Sequence, residues 1–205
     1  MHLRILCLLL ILFVLPAWSH SGGLNAADCH NNSSRAEYHC HPVDSNGERG
    51  EGVPLADIEG RVVAVFDGDT IKVLTSDLQS FKIRLAGIDA PERDQAFGSA
   101  SKQHLAAMVA GQQVRVESIK HDRYGRILAK VWVRPADCAA CGKTLNTNHA
   151  QILDGMAWWY RYYAEDQSEE DRGRYESAEQ EARARKWGLW ADPDPMPPWD
   201  WRRRK

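Results

Sequence analysis

Arg61-Val62-Val63-Ala64-Val65-Phe66-Asp67-Gly68-Asp69-Thr70-Ile71-Lys72-Val73-Leu74 reads as two β-strands joined by a short polar turn. Val62, Ala64 and Phe66 alternate with Val63 and Val65, and Ile71 and Val73 continue the period of two beyond Asp67-Gly68, a good hairpin turn. Phe81, Ile83 and Leu85 repeat the pattern, so three strands follow in quick succession. A helix is expected from Gly98-Ser99-Ala100-Ser101, with Leu105, Met108 and Val109 on one face and Gly111 as its stop. Two more strands are expected, at about 113–119 and 127–133, then a short helix from about Leu145 to Leu153. A last helix starts at Ser168, where Asp171 completes a capping box, and runs to about Lys186. This order predicts a small α+β domain on a five-stranded barrel.

Three segments at the ends of these strands carry chemistry: Asp67-Gly68-Asp69-Thr70, Arg84-Leu85-Ala86-Gly87-Ile88-Asp89-Ala90-Pro91-Glu92, and Asp122-Arg123-Tyr124-Gly125-Arg126. Asp67, Asp69 and Asp89 are hard oxygen donors, suited to Ca²⁺ or Mg²⁺ rather than zinc. Arg84 and Arg126 are permanently charged forks that match phosphate oxygens. Glu92 is a candidate base for an attacking water. Each has a plainer reading as well: Asp67 as a turn residue, Asp69 and Asp89 as loop caps, the arginines as partners in structural ion pairs. Arg84 and Asp89 would stand about 16 Å apart on a straight strand, so a shared site requires a bulge or curl, for which Gly87 is the natural place.

With these motifs in order, the chain from about Val62 to Trp190 resembles the staphylococcal-nuclease-like thermonucleases. The resemblance implies an OB-fold barrel with three helices and a Ca²⁺-dependent endonuclease that acts on DNA and RNA and leaves 3′-phosphate ends. It implies that Asp69 and Asp89, with the main-chain carbonyl of Ala90, hold calcium. Glu92 would then activate or orient water, and Arg84 and Arg126 would bind the phosphate and stabilise its transition state. Asp67 becomes a supporting residue. Ala90 stands where the best-known member has threonine, the stretch from Glu92 to the first helix is shorter, and the Cys138 to Cys141 segment looks inserted. Tyr124 can stack on a nucleotide base or simply pack at an edge; Tyr160, Tyr162 and Tyr163 could line the same groove, with packing expected for at least two of them. The competing class is an OB-fold module that binds nucleic acid without cutting it.

Residues outside this domain set its context. Arg4 precedes an apolar run of 11 residues from Ile5 to Leu15, followed by Pro16-Ala17-Trp18-Ser19. That run is shorter than the ~20 residues a membrane span needs and reads as a secretory signal peptide, residues 1–19, cleaved after Ser19. A secreted or periplasmic location is expected, with no stable membrane insertion after cleavage, and the mature chain is expected to be a monomer. The 205 residues carry 26 Lys+Arg against 28 Asp+Glu, a net charge of −2, so any grip on nucleic acid must come from a local patch or a bound cation. Export favours disulfides, with Cys29–Cys40 and Cys138–Cys141 the pairings that proximity suggests. Residues 20–52 form a His/Cys-rich appendage and linker in which His20, His30, His39 and His41 could bind Zn²⁺ or Cu²⁺. The domain then occupies 53–191, and the tail 192–205 is expected to pack in extended form because of its prolines, with Arg202-Arg203-Arg204-Lys205 available for a phosphate contact.

Overall fold

The computed structural model describes residues 55–204 and the backbone of 29–32 and 37–40. The chain divides into two units, Met1–Gly50 and Glu51–Lys205. In the first, Cys29–Asn32 pairs antiparallel with Glu37–Cys40, and the register sets Cys29 opposite Cys40 and His30 opposite His39. The signal peptide, the Cys29–Cys40 bond and the Zn²⁺ or Cu²⁺ site lie outside the described residues and side chains.

The second unit is built on five strands: β1 (Ile58–Val65), β2 (Thr70–Leu74), β3 (Ser80–Leu85), β4 (Gln113–His121) and β5 (Ile127–Val133). β1 pairs antiparallel with β2 and β4, β2 with β3, and β4 with β5, while a parallel pairing of β3 with β5 closes the barrel. Alternation decides which side chains enter it. Ile71, Val73, Ile83, Leu85, Val114, Val116, Ala129 and Val131 are all buried, and burying an Ile, Val or Leu of this kind stabilises the fold by ~1.5–3 kcal/mol each.

The alternation expected for β1 breaks at one point. A bulge between Val62 and Ala64 shifts the register against β2, so Val62 is buried, Val63 is exposed, Val65 packs on the core and Phe66 faces solvent. An extra residue on one strand exchanges the faces of everything after it. The exposed Phe66 ring is covered by Lys82, whose Nζ lies 4.9 Å from its centroid.

Four α-helices surround the barrel rather than three: α1 (Gly98–Val109), α2 (Thr147–Leu153), α3 (Glu169–Ala184) and α4 (Pro198–Arg203), with 3₁₀ turns at Arg161–Asp166 and Gly188–Ala191. α2 starts two residues later than expected, because Leu145–Asn146 pairs with β5 and the Asn146 side chain accepts hydrogen bonds from the amides of Asn148 and His149. Ser168 caps α3 by accepting from the Asp171 amide. The extra helix corrects the reading of the tail. Proline breaks a helix it interrupts but suits the first turn of one it begins, and Pro198 sits there, with Asp200 in the first turn and Arg202 and Arg203 in the last. Cys138 and Cys141 are bonded, with Cα atoms 5.3 Å apart.

Candidate active site

The Asp67–Thr70 turn and the Gly87–Glu92 loop meet at one end of the barrel, and small residues allow it. A Cβ on Gly68 would stand 1.8 Å from Ser101 Oγ on α1 and 2.7 Å from Ala90 Cβ, so only glycine lets the turn seat there. The Gly68 carbonyl accepts from Gln151 Nε2 at 2.6 Å. Gln151 Oε1 in turn lies 2.6 Å from His104 Nδ1, whose other ring nitrogen reaches Asp154 at 3.1 Å. A polar chain running from buried Gln151 out to half-exposed His104 and Asp154 therefore fixes the turn.

Gly87 supplies the required curl, with φ +74°. Before it, the Ala86 amide donates to Ala129 O at 2.8 Å, and Asn148 Nδ2 bonds Ala86 O at 3.0 Å. After it, Ile88–Asp89 leaves the barrel sheet and pairs antiparallel with Trp158–Trp159, while the Tyr160 amide bonds Gly87 O. The reversal brings Arg84 Nη2 to 3.0 Å from Asp89 Oδ1 and 3.1 Å from Asp69 Oδ2. The five-residue separation is thus folded into direct contact.

Asp69 and Asp89 are buried and share this one guanidinium nitrogen. Asp69 Oδ2 accepts the Ala90 amide at 2.8 Å and Oδ1 the Thr70 hydroxyl at 3.0 Å. Ala90 therefore enters the site through its N–H. Burial raises the Asp69 carboxyl to about 7; Arg84 opposes the rise, and the neighbouring Asp67 and Asp89 add to it. Asp67 Oδ1 accepts the Asp69 amide at 3.1 Å.

Glu92 is the most open of the acidic groups, and its Oε1 accepts from Arg202 Nη1 at 2.8 Å. Among the described residues no three His, Cys or acidic side chains converge as a ready metal cluster. Arginines interleave the acids instead. The donor set nevertheless fits a hard divalent cation. Two buried carboxylates with neighbouring negative charge form an all-oxygen site, and the cost of ionising Asp69 is the kind a cation relieves.

Arg126 is not brought into contact with these carboxylates. Its Nε donates to Asp122 Oδ2 at 2.6 Å, while Asp122 Oδ1 accepts the amides of Tyr124 and Arg126, both at 2.9 Å. It stands one residue before the Ile83↔Ile127 pairing and so belongs to the same pair of strands as Arg84. Tyr124 is 67% exposed, with the guanidinium carbons of Arg123 and Arg126 at 4.9 and 5.4 Å from its ring centroid. Tyr124→Ala is expected to weaken single-stranded DNA binding by ~1–3 kcal/mol with no change in melting temperature, measured by fluorescence anisotropy. Unchanged affinity would leave the ring only a cover for the two arginines.

The sequence offered Arg202 only as a phosphate contact in a basic tail, whereas the structure sets it on the carboxylates of Asp89 and Glu92. The available signal was Pro198 opening a helical turn, which places Arg202 one turn beyond Pro198. The Tyr160, Tyr162 and Tyr163 rings cluster rather than line an open groove: Tyr160 stacks on Trp199 at 5.5 Å and packs against Tyr162 and Tyr163, although Tyr162 and Tyr163 stay exposed.

Comparison with known proteins agrees with this geometry. The staphylococcal nuclease homologue family matches residues 82–192, a span that includes Arg84, Asp89, Glu92 and Arg126 and leaves Asp69 and Arg202 outside it. A micrococcal nuclease of Shigella flexneri is 45% identical over 148 residues, covering 72% of this chain and 82% of its own length. Protein ParB of Escherichia coli is 44% identical over 148 residues, covering 72% and 81%. An uncharacterized endonuclease of Escherichia coli is 43% identical over 153 residues, covering 75% and 90%. With a barrel closed as this one is and with relatives of this closeness, the chain belongs to the staphylococcal-nuclease-like family.

Proposed function

We propose that this chain is a divalent-cation-dependent endonuclease, with Ca²⁺ as its cation, that hydrolyses DNA and RNA to 3′-phosphate ends as a monomer outside the cytoplasm. The observation that carries the reading is the Asp69–Arg84–Asp89 bridge with Glu92 beside it. Nuclease relatives at 45% and 43% identity support the reaction class. The apolar leader supports export, and among the described residues no helix is long and apolar enough to cross a membrane.

Asp69, Asp89 and the main-chain carbonyl of Ala90 would hold the cation, which when bound neutralises phosphate charge and favours hydroxide over water. Arg84 is held at the carboxylates through Nη2 and at Leu85 O through Nη1, and its remaining N–H groups would meet a phosphate oxygen. Arg126 approaches from the neighbouring strand once Asp122 shares it. Glu92, open to solvent, takes a proton from the attacking water. The water oxygen bonds phosphorus, the bond to the 5′-oxygen breaks, and that oxygen leaves protonated by solvent. The 3′ side keeps the phosphate, and the added charge on the equatorial oxygens is met by the two arginines.

Metal-stripped protein is expected to leave labelled single-stranded DNA intact, to cut it on addition of Ca²⁺, and to stop on addition of chelator. Product ends that accept a new 5′-phosphate without prior dephosphorylation identify 5′-hydroxyl, 3′-phosphate cleavage. Cutting that persists in chelator removes the cation from the reaction. Binding without cutting in every condition makes the chain a nucleic-acid-binding module instead.

A further inference from the structure

Arg202 makes more contacts with the site's carboxylates than any other side chain. Its Nη2 lies 2.7 Å from Asp89 Oδ2, and its Nη1 lies 3.2 Å from Asp89 Oδ1 and 2.8 Å from Glu92 Oε1. With Arg84 also on Oδ1, both oxygens of Asp89 are engaged by guanidinium groups. A cation approaching Asp89 needs one of those lone pairs and meets a full positive charge at contact distance. The two cannot use the carboxylate together without cost.

The fold holds this arginine in place deliberately. Helix α4 is anchored by Trp199, which stacks on Tyr160 and packs edge-on against Trp158 at 5.6 Å. Gln95 joins the tail to the catalytic loop, since its Oε1 accepts the Glu92 amide at 3.0 Å while its Nε2 donates to Met196 O at 2.7 Å. The Arg202 side chain is 42% exposed, so it can withdraw into water without α4 leaving its seat. Residues 193–205 lie beyond the span that the family matches.

We propose that Arg202 is a built-in counterion of the site: it occupies the acceptors of Asp89 and Glu92 in the cation-free protein and leaves Asp89 when the cation binds, so that the C-terminal helix sets cation affinity. The inference rests on the cation site proposed above. The guanidinium holds the buried carboxylates in geometry and compensates their charge while the site is empty. The cation's apparent affinity is reduced by the stability of that closed arrangement. A fork suits this role better than a lysine, because it satisfies both Asp89 oxygens and Glu92 at once.

The test uses metal-stripped full-length protein titrated calorimetrically with CaCl₂, without nucleic acid. Arg202→Gln is expected to bind Ca²⁺ about tenfold more tightly than the wild type, and Arg202→Lys to fall between them. Near-UV circular dichroism verifies that the Trp199 anchor stays packed; if Arg202→Gln fails that check, Arg202→Lys alone is judged by the same direction of change. Affinity equal to or weaker than wild type overturns the counterion role and leaves the cation site standing. Absence of Ca²⁺ binding in every protein overturns both.

Discussion

Glu92→Gln is expected to lower phosphodiester cleavage by about 10²–10⁴-fold while leaving the fold and the affinity for nucleic acid in place. The reason lies in how differently the three acids of the site are held. Asp69 and Asp89 are buried and tied to Arg84, to the Ala90 amide and to Arg202, so their oxygens already have partners. Glu92 is 38% exposed, and the one partner seen for its carboxylate is Arg202. Of these three it combines access to solvent with a carboxylate beside the bridged pair. Glutamine has the same length, still accepts from Arg202 through its amide oxygen, and cannot take a proton from water. Weakening one exposed ion pair with Arg202 alters stability by about 0–1 kcal/mol. Initial rates on single-stranded DNA with Ca²⁺, alongside anisotropy for binding, separate the two effects. A rate within about tenfold of wild type would assign the base elsewhere.

The parts of this site legible in the sequence share a physical cause. Strand alternation places Thr70 and Leu85 at known ends of β2 and β3, and motif order then brings Asp69 and Arg84 to the same rim. The curl at Gly87 was readable because a straight strand cannot join Arg84 to Asp89. What sequence patterns could not show was contact between segments remote in the chain. The Trp158–Trp159 pairing that seats Asp89 and the Gln151 chain beneath Gly68 each join segments scores of residues apart. Arg202 was the hardest to foresee, since its distance of 113 residues from Asp89 is bridged by a six-residue helix that the prolines seemed to forbid. Arg126 illustrates the converse: its type and order were clear, but Asp122, four residues away, holds its Nε.

Arg84→Ala is expected to destabilise the protein by ~3–5 kcal/mol above neutral pH, the cost of removing one partner from a buried ion pair. Arg84 is the shared counterion of two carboxylates that are almost out of water, with side-chain exposures of 8% for Asp69 and 2% for Asp89. Its loss leaves Asp69 beside Asp67 and Asp89 with only hydrogen bonds to compensate it. The deficit depends on pH, and the sign follows from the Asp69 carboxyl, which burial lifts from its ordinary 3.8 to about 7 in the folded protein. The native state then binds more protons than the unfolded chain between those values, so Asp69 makes stability fall as pH rises through that window. Arg84 restrains the rise, and without it the folded carboxyl keeps its proton to still higher pH. Below about pH 7 Asp69 is neutral with or without Arg84, and its share of the deficit is small; above it, the wild type regains an ion pair that the variant lacks. Urea unfolding at pH 6 and pH 8.5, in chelator so that no cation substitutes for the guanidinium, should therefore show a gap between the two proteins that widens with pH. A gap that is constant or narrows would mean that Arg84 stabilises the site by packing its stem rather than by pairing with Asp69.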